Sequence, residues 1–475
     1  MTMPHSAPAR LTLTPTDTLK RGLITLSVTL LGSCAPSVPP EQDALDTVVR
    51  ISRADYENRL AGFWLGQSIA NWTGLVTEMD KIGGDGEHGK FYTRADWGQA
   101  DQPAIWGEGK PSDLSPVIEW VIRPCGEMWG ADDDTDLEYM YQHLLRNHPT
   151  GLLSPADIRS GWLTHIYSDA ETPFIDRTGE PENYLWVSNQ RAFDLMQTGM
   201  LPPATSAPEH NPHFEMIDAQ LSTEIFGLYA PHRPELALQL AHLPIRTTAR
   251  QNAAMAAEFY VIMHALAISV DKHRSRKQQI LWLAAQARTH LANDSYLAGM
   301  YDYVERAYLR GVPWEQVRNG IYQRYQVEQA DGYDISSRNL YCNGCFAAGI
   351  NFAASLISLF YGEGDYQRTV KLAVLMGWDA DNPAATWGGL LGFMYGNKAL
   401  RAEFDQCLSN QFHIHRTRRG FDNNGVDTFT NMAQVGANIV ETVFKQHSNG
   451  TVEGDSWSYT SSPNRSIGRS KPDQP

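Results

Sequence analysis

The 475-residue chain has little of what marks several large functional classes. It lacks an excess of basic charge: 39 Lys+Arg stand against 54 Asp+Glu, a formal net charge of −15. Proteins that grip a nucleic-acid backbone carry basic patches, so no nucleic-acid partner is expected. Strand-like alternation of apolar and polar residues is nearly absent, which leaves helices as the expected elements. Cysteine is scarce, at five residues. Cys342-Asn343-Gly344-Cys345 has no second CxxC or His pair beside it to complete a zinc site, and reads as two small residues of a buried helix. Cys125 and Cys407 are isolated, and nothing demands a disulfide. Past the first 35 residues no stretch reads as a membrane span. Leu340 to Tyr361 is apolar but carries Asn343 and Asn351, and suits a buried helix,. There is no convincing internal repeat.

What the N-terminus does have is the pattern of a targeting segment. Lys20 and Arg21 precede the apolar stretch Gly22 to Leu31, too short for a good span and fitting a signal-peptide core,. Leu31-Gly32-Ser33-Cys34 then resembles a bacterial lipobox. The expectation is export as a lipoprotein of the cell envelope, with the membrane touched only through a lipid on Cys34. A cytoplasmic protein with a non-functional leader is the alternative. Residues 1–34 are thus signal peptide and lipobox, 35–54 a linker, 55–447 one large domain, and 448–475, rich in Ser, Pro and Asn, a disordered tail,.

Within the domain, apolar residues recur at three-to-four spacing. This predicts helices over 56–72, 135–146, 155–166, 216–228, 250–269, 277–290, 293–310, 313–326, 339–361, 365–375, 382–394 and 436–447,. The segment from Lys81 to Gly126 is rich in Gly, Asp and Trp and irregular, and loops of that length are more often functional than ornamental.

Two acidic runs stand out. Asp132-Asp133-Asp134-Thr135-Asp136 leads into an amphipathic pattern, and about 245 residues later Gly377-Trp378-Asp379-Ala380-Asp381-Asn382 does the same,. Adjacent carboxylates repel, and a chain keeps them cheaply only where water or a cation neutralises them. Each run sits where a helix begins, where the dipole and free N–H groups favour negative charge. Asp379 and Asp381 alternate and can project to one side of an extended turn, with Asn382 as a cap and Pro383 in the first turn. A single run reads as capping. Two together make a hard, all-oxygen ligand set that suits Mg²⁺ or Mn²⁺, with Ca²⁺ as an alternative, and does not suit zinc. One site drawing on both runs argues for a single domain.

At these residues the sequence resembles the ADP-ribosylglycohydrolase family. Asp132-Asp133-Asp134-Thr135 stands at its first acidic motif. Gly377 to Asn382, with the small-residue run Ala384 to Gly396, stands at its second. Gly62-Phe63-Trp64-Leu65-Gly66-Gln67-Ser68-Ile69-Ala70, followed by Glu78, stands more loosely at its opening motif. The likeness spans roughly residues 55–400, with an insertion between Glu78 and Asp132,. It implies an all-α, multi-helix domain with a metal cleft holding two Mg²⁺ or Mn²⁺ ions. The implied ligands are Asp132, Asp133, Asp134, Asp379, Asp381 and Asn382, with Glu78, Asp133 and Asp381 catalytic. The implied substrate is a small or protein-linked ribosyl glycoside, cleaved through an oxocarbenium-like transition state. The chain departs from the family pattern in having Asp132 for a hydroxyl residue, Asn382 for a threonine and Gln67 for an aspartate. These changes bear on substrate more than on metal. Asn189 and Arg191, in the run Trp186 to Arg191, are expected to line a sugar pocket together with Trp378. Asp218, Glu224 and the run Arg250 to Asn252 are further candidates. Two other readings stay open: an exported glycosidase acting on a carbohydrate furanoside, and a non-catalytic binding or structural member of the family.

Overall fold

Ser52 closes a short strand and starts a 22-residue helix, its hydroxyl accepting the Asp55 N–H as an N-cap,. The computed structural model describes residues 47–105, 110, 112–176, 179–333, 344–447 and 450–461. In chain order its helices are α1 (Arg53–Gly74), α2 (Asp133–Leu145), α3 (Pro155–His165), α4 (Val187–Gln197), α5 (Ile225–Leu228), α6 (Pro234–Thr248), α7 (Gln251–Leu266), α8 (Arg276–Arg288), α9 (Tyr296–Leu309), α10 (Trp314–Ile321), α11 (Ala348–Gly362), α12 (Tyr366–Val374), α13 (Asp381–Tyr395), α14 (Asn397–Arg401) and α15 (Phe429–His447). The fold is all-α apart from two small sheets. Strands β1 (Thr47–Ser52), β5 (Ser456–Ser461) and β4 (Thr451–Glu453) pair antiparallel in that order, and β2 (Gln411–His413) pairs with β3 (Val426–Thr428).

Among the helices buried on every side, α1 and α13 form the centre of the site's scaffold. Residues Leu60 to Asn71 of α1 and Asp381 to Phe393 of α13 are buried without interruption, the pattern of a central core helix rather than an amphipathic one. They lie antiparallel with their backbones in contact. A Cβ on Gly66 would fall 2.3 Å from the Gly388 carbonyl oxygen, and one on Gly62 would fall 2.3 Å from that of Gly392. The small residues of both helices therefore set their separation. At the far end of the seam a Cβ on Gly74 would meet the Asp381 Cα at 2.3 Å. The glycine seam thus fixes where the second acidic run sits.

The structure corrects several sequence expectations. Helices α4 and α6 were not foreseen, and 216–228 is not one helix but a 3-10 turn followed by the short α5. Ser222 and Thr223 there hydrogen-bond to the carbonyls of Asp218 and Ala219, the local competition that makes such residues poor helix extenders. Thr47–Ser52 of the linker and Ser456–Ser461 of the tail are paired strands. Cys125 and Cys407 are joined in a disulfide with Cα atoms 5.4 Å apart. Cys345 is disulfide-bonded as well, while Cys342 lies outside the described residues, as does the leader with Cys34. Gln251–Ser269 is long and apolar enough to cross a membrane, but 78% of its apolar window is buried inside the fold.

Candidate metal centre

Three helix ends converge on the acidic runs. Asp132 is the N-cap of α2: its side chain accepts the Asp134 N–H at 3.2 Å, and its own N–H donates to Thr135 Oγ1, a capping box,. Asp133 and Asp134 follow in the first turn. Asp381 opens α13, so Asp379-Ala380-Asp381 forms a turn with Ala380 in helical geometry, not an extended segment. The N-cap there is Ala380, and Asn382 does not cap the helix. It lies inside the first turn, and its amide donates to Asp134 Oδ1 at 3.1 Å, 248 residues away in sequence. The third end is the C-terminus of α1. Its Asn71, fully buried, directs its amide to Asp132 Oδ2 at 3.1 Å and to Asp381 Oδ2 at 3.4 Å, bridging the two runs. Asn351 of α11 accepts the Asp379 N–H at 3.3 Å and sets that backbone.

Ligand atoms of Asp132, Asp133 and Asp134 lie within 4.8 Å of one another, and so do those of Glu78, Asp379 and Asp381. Asp134, Asp379 and Asp381 are buried, whereas Glu78, Asp132 and Asp133 are partly exposed. The group therefore has a closed floor and an open rim. Burial, then repulsion from Asp381 and Asp133, raises the Glu78 carboxyl well above its ordinary range. Burial and Asp381 do the same to Asp132 and Asp134. Asp133 is pushed up to about 8 by burial and by Asp136, Asp381 and Asp218. Mutually raised carboxyls mark a set whose negative charge no nearby protein cation offsets. Oxygen atoms of Asn71, Asp381 and Asn382 are buried without a hydrogen-bond donor. Orphaned buried oxygens are costly unless something coordinates them, and an all-oxygen set of carboxylates and amides is what Mg²⁺ or Mn²⁺ takes. The residues present fit such ions.

Around this group the chain is pinned by Asp136, one turn along α2. Its carboxylate lies 2.9 Å from Arg418 Nε with both side chains fully buried, an ion pair closed off from solvent. Arg418 also donates to the carbonyls of Asn183 and Tyr184, fixing the segment that enters α4 against α2. Asp218 accepts the Asn189 N–H at 2.8 Å and lies near enough to add to the field at Asp133. Deeper, Glu138 and Glu224 are buried with Gln67, Ile225 N and Thr386 as donors.

The structure brings together Glu78, Asp132, Asp133, Asp134, Asp379, Asp381 and Asn382. Asn189 is buried nearby. Trp378 is not open to a ligand: its ring is fully buried, 4.7 Å from Phe91 and 6.4 Å from Tyr322. Its backbone instead ties the second run to the Glu78 loop through Trp378 N–H to Lys81 O and Met79 N–H to Trp378 O. Arg191 donates to the His210 carbonyl and props a loop. Sequence reasoning missed Asn71 and Asn351, neutral amides within helical patterns, whose only available signal was their polarity at otherwise apolar positions.

The sequence profile of the ADP-ribosylglycohydrolase family matches residues 52–434. Among solved structures, one described as an ADP-ribosylglycohydrolase-related protein complex is similar at 16% identity with a TM-score of 0.39, over 82% of this chain and 99% of that one. No curated protein matches the chain.

Proposed function

The chain belongs to the ADP-ribosylglycohydrolase family, and we propose that it is a metal-dependent hydrolase of a ribosyl or related furanosyl glycoside. The observation that carries this reading is the meeting of two acidic runs, distant in sequence, in one group with orphaned oxygens and an open rim. Asp132, Asp133, Asp134, Asp379, Asp381 and Asn382 would hold two divalent cations, Mg²⁺ or Mn²⁺. Such ions supply Lewis-acid polarisation of sugar hydroxyls and ease deprotonation of water. The protein's own contribution follows from burial. Glu78 stands on the open rim against Asp379 and Asp381, placed to take a proton from an attacking water. Asp133, also on the rim, offers negative charge to the oxocarbenium-like centre as the glycosidic bond opens. Asp381, on the floor and bonded to Asn71, orients the set.

The carboxylates kept in both acidic runs oppose a purely structural role. The same proposal has the protein exported and lipidated at Cys34. The exposed Cys125–Cys407 disulfide supports an oxidising compartment,. The test is hydrolysis of ADP-ribosyl-arginine and of aryl ribo- and arabinofuranosides, with Mn²⁺ and with EDTA. Turnover that requires the cation is expected. No turnover of any of these by metal-replete protein would overturn the proposal.

A further inference from the structure

Beside the acidic group stands a second set of side chains that the hydrolytic reading does not use. Trp186, the residue before α4, is 42% exposed, unusual for so large a ring in this fold. Tyr184 meets it edge to face at 5.9 Å, and Arg416 lies over Tyr184 and donates to its hydroxyl at 2.8 Å. Both Tyr184 and Val187 have positive φ, 55° and 37°. A β-branched residue holds that conformation only when its surroundings impose it, and such strain gathers at functional sites. Within the first turn of α4, Ser188 and Asn189 are 0% and 1% exposed. Both polar atoms of the Asn189 amide are buried without a hydrogen-bond partner, and beside it the Ser188 side chain meets the Asp218 carboxylate.

The chemistry of these groups identifies the ligand. The start of a helix ordinarily attracts an anion, but here the Asp218 carboxylate already takes the Asn189 N–H and repels a phosphate. Arg418 is committed to Asp136 and two carbonyls, and Arg191 to a third. What is left is the Asn189 amide, a donor and an acceptor that match sugar hydroxyls, with the neutral Ser188 and the Asp218 carboxylate beside it and the exposed Trp186 face, of the kind on which a sugar ring packs, at the start of the same helix,.

We infer that Trp186, Tyr184, Ser188, Asn189 and Asp218 form a subsite for a neutral sugar unit joined to the glycoside held at the acidic group, so that the substrate is a furanosyl oligosaccharide. This deepens the hydrolase reading and rests on it.

The test uses metal-replete full-length protein and compares kcat/KM for linear arabinofuranosyl and ribofuranosyl trisaccharides with that for the corresponding methyl furanosides, alongside calorimetric binding of ADP-ribose. A gain of at least tenfold for a trisaccharide is expected, largely abolished in Trp186→Ala. Asn189→Leu is expected to lose the same gain while keeping or raising the thermal midpoint, since the amide it removes has no partner in the fold; a structural amide would lose stability instead. Trisaccharides no better than methyl furanosides, a gain untouched by Trp186→Ala, or ADP-ribose bound more tightly than either trisaccharide would each overturn the subsite. In the first two cases turnover of the methyl furanosides leaves the hydrolase reading standing. Absence of all turnover removes both.

Discussion

Asn71 reaches Asp132 and Asp381 with one amide group, so the two halves of the acidic group are joined before any cation is considered. Its neighbours repel one another, and this gives the site a signature opposite to that of an ordinary core. Asp381→Asn is expected to lower Mn²⁺ affinity more than tenfold in calorimetry, the scale of disturbing a ligand set. It is also expected to raise the melting temperature of the metal-free protein, because one of the mutually repelling buried charges is removed. Unchanged affinity would remove Asp381 from the ligands. The pH response follows from the same repulsion. Asp133, raised from 3.8 to about 8 by burial and Asp136, Asp381 and Asp218, stabilises the fold fully below about pH 4 and loses that contribution as pH climbs through its folded value. Half-buried His143 and buried His264, both held down to about 4 by desolvation, act in the opposite sense only up to about pH 6.5. From pH 6.5 to 8 the metal-free protein should therefore melt at falling temperatures. The gain from added Mn²⁺ should grow over that interval, because ligands must be deprotonated. Melts in EDTA and in MnCl₂ at half-unit steps check both trends. A metal-free midpoint that rises across the interval contradicts them. The acidic runs were legible in the sequence because clustered carboxylates need a reason. Asn71 was not, since one buried amide in a helix has many ordinary explanations.

The glycine seam between α1 and α13 is the element on which the site depends. Alanine is intrinsically the better helix residue by about 1 kcal/mol, so a net loss on Gly66→Ala isolates the clash with the Gly388 carbonyl. A loss of about 1–3 kcal/mol is expected in urea unfolding, together with weaker Mn²⁺ binding, because Gly74 and Asp381 lie on the same helix pair. A variant as stable as the parent would mean the helices can part without strain. Helices α1, α2, α7 and α13 could be read from their apolar spacing. Helix α4 could not, because its start depends on a strained Val187 and on Asp218 from elsewhere in the chain. Helix α6 carries Pro244 in its interior, which in a sequence reads as a stop. The reverse error at 216–228 came from apolar residues at helical spacing whose Asp, Ser and Thr neighbours bond locally instead.

On the scale of the whole molecule, the chain is fastened to itself at distant points. The disulfide joins residues 282 apart in sequence, and β1 pairs with β5 across nearly the entire domain. Neither pairing can be read from one sequence, because a cysteine or a short strand does not name its partner. Cys125→Ser with Cys407→Ser is expected to lower stability by about 2–4 kcal/mol through the greater freedom of the unfolded chain, seen as a lower guanidinium midpoint. An unchanged midpoint would show the crosslink to be ornamental. The glycine seam has a further consequence, in time rather than in energy. Gly66 meets Gly388, so the face of α1 that packs on α13 has no partner until roughly three hundred more residues have left the ribosome, on the order of tens of seconds of synthesis. Throughout that interval the central helix pair of the domain cannot close. An N-terminal signal would thus be offered to a translocation channel while the chain behind it can still be threaded.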